Sequence, residues 1–380
     1  MKPLRWLGAP APGRLALPAA LPTASQMYAP RGVFLDDRYL IVADSGNHRI
    51  LIWHGLPSGD RQPANVVIGQ PDFEQEGPNA AGRGPENGLH LPTGVAVIDG
   101  RLFVADAWHH RILFWNTVPQ QNGTPPDGII GQTGLDSVEP NRGGAISASS
   151  LYWPYGFAMI AGWFYIADTG NRRVLAWRGL PEPDEPAHLI LGQDSGDVGE
   201  DNRGAPVCAK SFRWPHAVAG NERLLYVADA GDHRVLGWAP PPTEDRDADL
   251  VIGQETFETA VEVPYVPPGP RKLRFPYAVA SDGETLAVAD TANNRVLLWD
   301  RLPLVHPAPP PDHVIGQDSF EGNGENRWKA VTSETLCWPY GICLHDGKLA
   351  VADSGNNRVM IWAIQATSVP AAGVDLVAIA

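Results

Sequence analysis

Apolar residues in this chain fall in short runs separated by Gly, Pro, Asn and Asp rather than in long amphipathic stretches. Gly32-Val33-Phe34-Leu35, the run from Tyr39 to Ala43, the run from Arg49 to Trp53 and the run from Val66 to Gly69 make one set. Each is rich in β-branched or aromatic residues and bounded by turn formers, so each predicts a short strand. None can bury its faces alone.

The set repeats. Ala-Asp ends the second run at Asp44, Asp106, Asp168, Asp229, Asp290 and Asp353, with spacings of 62, 62, 61, 61 and 63 residues. An Arg follows five residues after each Asp (Arg49, Arg111, Arg173, Arg234, Arg295, Arg358) and a Trp four residues after that (Trp53, Trp115, Trp177, Trp238, Trp299, Trp362). A Pro stands 14 residues before each Asp (Pro30, Pro92, Pro154, Pro215, Pro276, Pro339), and Ile/Leu-Gly-Gln closes five units at Gln70, Gln132, Gln193, Gln254 and Gln317. Four-strand units recurring six times predict an all-β fold, a six-bladed β-propeller of four-stranded antiparallel blades. The 380 residues then form one domain, with blades starting near residues 30, 92, 154, 215, 276 and 339. Seven segments compete for six outermost strands, because Leu7-Gly8-Ala9-Pro10 reads like Ile68-Gly69-Gln70-Pro71 while Leu376 to Ile379 is also strand-like. Residues 3–8, within the N-terminal segment 1–29, are expected to complete the sixth blade; residues 363–380 form a C-terminal strand or tail.

Composition agrees. Gly 40 and Pro 37 break the chain too often for long helices, while 43% hydrophobic residues and 13 Trp exclude disorder. The net charge of −14 opposes a nucleic-acid-binding or acidic-membrane surface. Cys208, Cys337 and Cys343 form no C-x-x-C and no disulfide framework. No apolar stretch reaches spanning length and the N-terminal residues lack a signal-peptide core, so the expected setting is soluble and cytoplasmic.

The unit P-x-G-V…V-A-D-x-G-N-x-R-I-L-x-W, whose first copy contains Asn47-His48-Arg49-Ile50-Leu51, resembles the NHL repeat over about residues 30–362. The resemblance implies a six-bladed propeller. It also implies units of about 40–45 residues, whereas those here carry roughly 18–20 more, chiefly between Ile-Gly-Gln and the next Pro. The repeated Asp is expected to accept hydrogen bonds from the backbone of its turn, the Arg to tie neighbouring strands, and the Trp to fill space between blades.

Two regions carry candidate chemistry. The residues after each Pro (Arg31, Thr93, Tyr155, His216, Tyr277, Tyr340) fall at the mouth of the central channel, where hydroxyls, an imidazole and a guanidinium suit a small polar or anionic ligand. The alternative is that they plug the channel. The long insertions share one face with the Asp-x-x-Asn turns. Five of them hold 17 acidic and 10 basic residues, a net −7. There Trp108, His109 and Trp328 are candidate anchors for a protein partner presenting a basic or polar surface. No catalytic motif and no metal or cofactor is predicted. Zinc enters only by resemblance: NHL-like peptidyl-amidoglycolate lyases hold it with three His in the channel, and Pro215-His216-Ala217 is similar to one of those sites. Calcium enters only through Asp194, Asp197, Glu200 and Asp201. The sequence thus reads as a non-catalytic interaction scaffold or assembly and maturation factor. The alternative reading is a small-molecule binder, or a lyase or hydrolase, at the channel mouth.

Overall fold

Each Pro-started run pairs with the apolar run that follows it, that run with the Arg-to-Trp run, and that in turn with the Ile-Gly-Gln run. In blade 3 these strands are Pro154–Ile160, Trp163–Asp168, Arg173–Arg178 and Leu189–Leu191. The computed structural model, described over residues 1–9, 22–262 and 266–364, contains six such four-stranded sheets. The strand pairings are antiparallel throughout. The protein is therefore a six-bladed β-propeller. In the sixth sheet the outermost strand is the N-terminal segment Lys2–Gly8, which pairs antiparallel with Arg358–Ala363. Leu376 to Ile379 lie outside the described residues.

The innermost strands approach one another closely. A Cβ on Gly32 would lie 1.8 Å from the Thr93 carbonyl oxygen, on Gly156 2.6 Å from that of His216, and on Gly341 2.4 Å from that of Arg31. Glycine two residues after the Pro thus lets adjacent blades touch backbone to backbone and sets a narrow channel. Farther out, the repeated Trp is buried between blades: Trp53 packs with Ala350, Ala352 and Ile361 of blade 6, and Trp299 with Tyr226 and Leu250 of blade 4. Each buries roughly 150–250 Å², so the blade interfaces are a main source of stability.

Asp and Arg form a buried hub in each blade. The Arg Nε donates to Asp Oδ2 at 2.6–3.2 Å in all six, and both side chains are fully buried. The other carboxylate oxygen accepts a backbone N–H upstream of the Pro, as from Tyr152 to Asp168 at 2.7 Å. The expected bond from the turn's backbone is not made, because the Asn three residues on supplies its side-chain amide instead, as Asn171 Nδ2 does at 2.8 Å. The Arg ties insertions rather than strands. Arg173 reaches the Gly196 carbonyl in the insertion that follows blade 3, and the Ser147 and Ser150 carbonyls in the one that precedes it. Arg49, Arg111 and Arg295 repeat this pattern on both sides. The insertions are thereby fixed to the blades by charge-assisted bonds. Blade 6 differs: the Arg358 guanidinium lies 4.0 Å from the Trp6 ring centre, and its Nη1 has no hydrogen-bond acceptor.

Candidate functional site

The six residues after the prolines converge. Arg31, Thr93, Tyr155, His216, Tyr277 and Tyr340 line one axial cavity of about 140 Å³, together with backbone and small apolar residues of the innermost strands. Five of them form an arc. His216 stacks on Tyr277 with ring centres 4.4 Å apart and planes 9° apart, and packs against Tyr155 at 4.3 Å. Tyr340 follows at 4.8 Å from Tyr277, and the Arg31 guanidinium sits 5.2 Å from the centre of the Tyr340 ring. Thr93 is spent on the wall, its hydroxyl donating to the Tyr155 carbonyl at 2.8 Å.

Polar groups in the arc are unequally satisfied. His216 Nδ1 lies 2.8 Å from the Trp214 carbonyl oxygen. A carbonyl only accepts, so the proton is on Nδ1 and Nε2 is a bare acceptor. Burial, with a smaller push from Arg31, lowers the His216 pKa to about 4, so the ring is neutral near pH 7. Tyr155 is 5% exposed, and its hydroxyl lies beside the Arg31 guanidinium with no acceptor for its own proton. Burial raises its pKa well above the usual phenol value, and raises that of Tyr277 to about 12. Both are therefore hydroxyl donors. Among the described residues, none lining the cavity is acidic.

Trp214 is held unlike its counterparts. Ala29, Leu91, Trp153, Phe275 and Trp338, each preceding its Pro, have φ between 47° and 55°. Their N–H groups donate to a His or Asn of the preceding blade: Leu91 to His48, Trp153 to His110, Phe275 to His233, Trp338 to Asn294 and Ala29 to Asn357, at 2.9–3.2 Å. Between blades 3 and 4 the corresponding residue is Arg172, which turns outward to Asp201 at 2.6 Å. Trp214 N–H goes to Asp229 instead, and its carbonyl reaches His216. Sequence reasoning missed this arrangement. Its signal was Arg172 in a column of His and Asn.

The upper face places the partner candidates differently. Trp108 is 47% exposed at the channel lip, 6.2 Å from Trp153, which in turn lies 6.3 Å from His216. Trp328 is 78% exposed. His109 is only 3% exposed and bonds through Nδ1 to Asp106 Oδ2 at 2.8 Å, so it stands in for the turn Asn rather than facing outward. Among the described residues no group of three or more His, Cys, Asp or Glu is set to hold a metal. Among the described residues His216 is the single His lining the cavity, which does not match a three-histidine zinc set. Near the acidic loop, Asp194 pairs with Arg203, and Asp201 with Arg172.

The fold and the ring define a six-bladed propeller with a closed set of blades around an axial cavity. The chain carries an NHL repeat, whose family model matches residues 89–113. No curated protein matches the sequence. Among solved structures it is similar to hydrazine synthase of Kuenenia stuttgartiensis, with TM-score 0.51 and 13% identity over 92% of this chain and 98% of that one. It is also similar to a streptogramin B lyase (TM-score 0.47, 10% identity, 90% and 95% covered) and to a chain of a nidogen/laminin complex (0.47, 17%, 83% and 84%). At these identities the likeness is one of fold. Among the described residues no helix is long and apolar enough to cross a membrane.

Proposed function

We propose that the protein is an interaction propeller whose insertion-bearing face docks a protein partner, with Trp328 as an anchor. The observation that carries this is a residue in the wrong conformational class. The insertions share the turn Asn141-Arg142-Gly143, Asn202-Arg203-Gly204 and Asn326-Arg327-Trp328. Its third residue is glycine with φ 73° and 70° in the first two, and tryptophan with φ 56° in the last. A bulky side chain in the left-handed region costs about 1–2 kcal/mol relative to the right-handed one. Trp328 recovers little of that by burial, since most of its surface faces solvent.

The turn beneath it is rigid. Asn326 exchanges bonds with Asn356 at 2.9–3.0 Å, and Arg327 donates to the Gly316 and Glu334 carbonyls. An aromatic side chain carried on a backbone already held in place has less freedom to lose on binding, which favours it as an anchor. The same insertion carries Asp318, Glu321, Glu325 and Glu334 against Arg327 and Lys329, so the fitting partner offers an apolar slot rimmed by basic or polar groups.

The test is Trp328→Gly, which suits the turn better. Melting temperature should hold or rise, while a partner recovered in fixed ratio with the wild-type chain at low salt should be lost. Equal recovery by both chains would overturn the proposal.

A further inference from the structure

The docking face leaves the channel unexplained. Arg31 is a half-buried cation whose surroundings hold no carboxylate: none lines the cavity, and no described acid forms an ion pair with it. Its neighbours are the Tyr340 ring and the tyrosine hydroxyls. A chain of net charge −14 has acids to spare, yet none is placed here. Withdrawing a guanidinium from water without an anion is costly. So is burying the Tyr155 hydroxyl without an acceptor. Arg31 meets only neutral tyrosine hydroxyls and aromatic rings, so both groups keep donor capacity that no anion or carbonyl takes up, and both face one cavity. Across the arc the deficit reverses: His216 Nε2 is an acceptor lacking a donor, its tautomer fixed by Trp214.

We propose that this cavity binds a small hydroxycarboxylic acid, with the carboxylate on Arg31 and the Tyr155 hydroxyl and the ligand hydroxyl donating to His216 Nε2. Size fits that class. The cavity of about 140 Å³ is small, which suits a two- or three-carbon acid better than a nucleotide or a sugar chain. The stacked rings of His216 and Tyr277, with the tilted ring of Tyr155 against them, offer the carbon skeleton an aromatic wall. Free metal cations are disfavoured by Arg31. A simple carboxylate satisfies the donors but leaves Nε2 bare, so the hydroxyl is where selectivity arises.

Titration of the full chain with lactate and with propionate, followed by calorimetry or by the aromatic NMR signals, tests this. Lactate should bind, and about five- to tenfold more tightly than propionate, the ratio one neutral hydrogen bond gives. Tyr155→Phe keeps the ring and removes the hydroxyl whose proton has no acceptor. It should weaken both acids several-fold while melting temperature holds or rises. His216→Phe should abolish the preference for lactate yet retain propionate binding. Trp328→Gly should change neither affinity, which separates this site from the docking face. Absence of binding by both acids, or affinities unmoved by Tyr155→Phe, overturns the assignment. Inorganic phosphate binding as tightly as lactate would also overturn it, since the site would then read charge alone.

Discussion

The imidazole of His216 donates through Nδ1 to the carbonyl oxygen of Trp214 at 2.8 Å, at the junction where the blade-to-blade clasp is absent. At the other five junctions a His or Asn side chain accepts the N–H of the residue before the next Pro and holds it at positive φ. Trp214 has neither the clasp nor the positive φ, and its freed carbonyl fixes the tautomer of the channel histidine. A local rule is broken where the channel histidine is held.

The clasp predicts an asymmetry between equivalent positions. His110→Ala leaves the part-buried Trp153 N–H without its acceptor while its backbone stays left-handed, at a cost of about 1–3 kcal/mol. Arg172→Ala removes a half-exposed pair with Asp201, worth at most about 1 kcal/mol. Chemical denaturation of the two variants should show the first clearly destabilised and the second close to wild type. Equal losses would mean that the clasp contributes nothing specific.

Much of this was legible in the sequence. The 61–63-residue period exposed the blades, because the Asp, Arg and Trp of each unit sit at fixed offsets. The post-Pro ring was legible for the same reason. What escaped depends on backbone groups that every residue carries. The Arg173 acceptors are carbonyls of Gly196, Ser147 and Ser150, which no residue type announces. His109 is a candidate anchor by its place in the insertion-bearing face, whereas its side chain is buried and fills the inward position of Asn171, a direction its residue type does not announce. The inward turn of the Trp214 carbonyl follows from a side chain missing one blade away.

Acid should loosen the clasps. Burial lowers His48, His110 and His233 to about 4, as it does His216, against about 6.5 in an unfolded chain. Between those values the unfolded chain binds more protons than the folded one, so stability falls as pH drops from about 6.5 to 4. Protonation also places a hydrogen on the Nδ1 that must accept the next blade's N–H. His110→Asn, which adopts the clasp of blades 5 and 6, should keep the bond and flatten this dependence. The expected reduction in slope is up to about 1.4 kcal/mol per pH unit. An unchanged slope between pH 6.5 and 4 would count against the clasp's titration.

Blade 4 contains the opposite dependence. Asp232 occupies the turn position held by Asn in four other blades, and its Oδ2 lies 3.6 Å from Arg234 Nη2 without a hydrogen bond. Burial first, then the charge of Asp229, raises its carboxyl to about 7. A raised carboxyl contributes stability that is complete below the unfolded value near 4 and is lost as pH rises through about 7. Asp232→Asn should therefore leave stability at pH 4 nearly unchanged and increase it at pH 8. Denaturation midpoints at both values decide this, and a larger gain at pH 4 would contradict the assigned ionisation.

The last prediction concerns volume across a strand pair. Phe114 pairs with Gly128 in blade 2, Ala176 with Leu189 in blade 3, and Gly237 with Leu250 in blade 4. Large and small residues exchange sides of the ladder, because one space serves both. A Cβ on Gly128 would come within 2.1 Å of the Phe114 ring, and one on Gly237 within 2.8 Å of Leu250. Gly128→Leu alone should therefore overpack the site and cost about 1–3 kcal/mol. Phe114→Ala alone should lose about 3 kcal/mol or less, since the ring borders the partly open groove between blades 2 and 3. The double change rebuilds the Ala176–Leu189 arrangement and should recover most of both losses, giving a coupling of about 1–3 kcal/mol in a double-mutant cycle. Additive losses would show that the two positions do not share one volume.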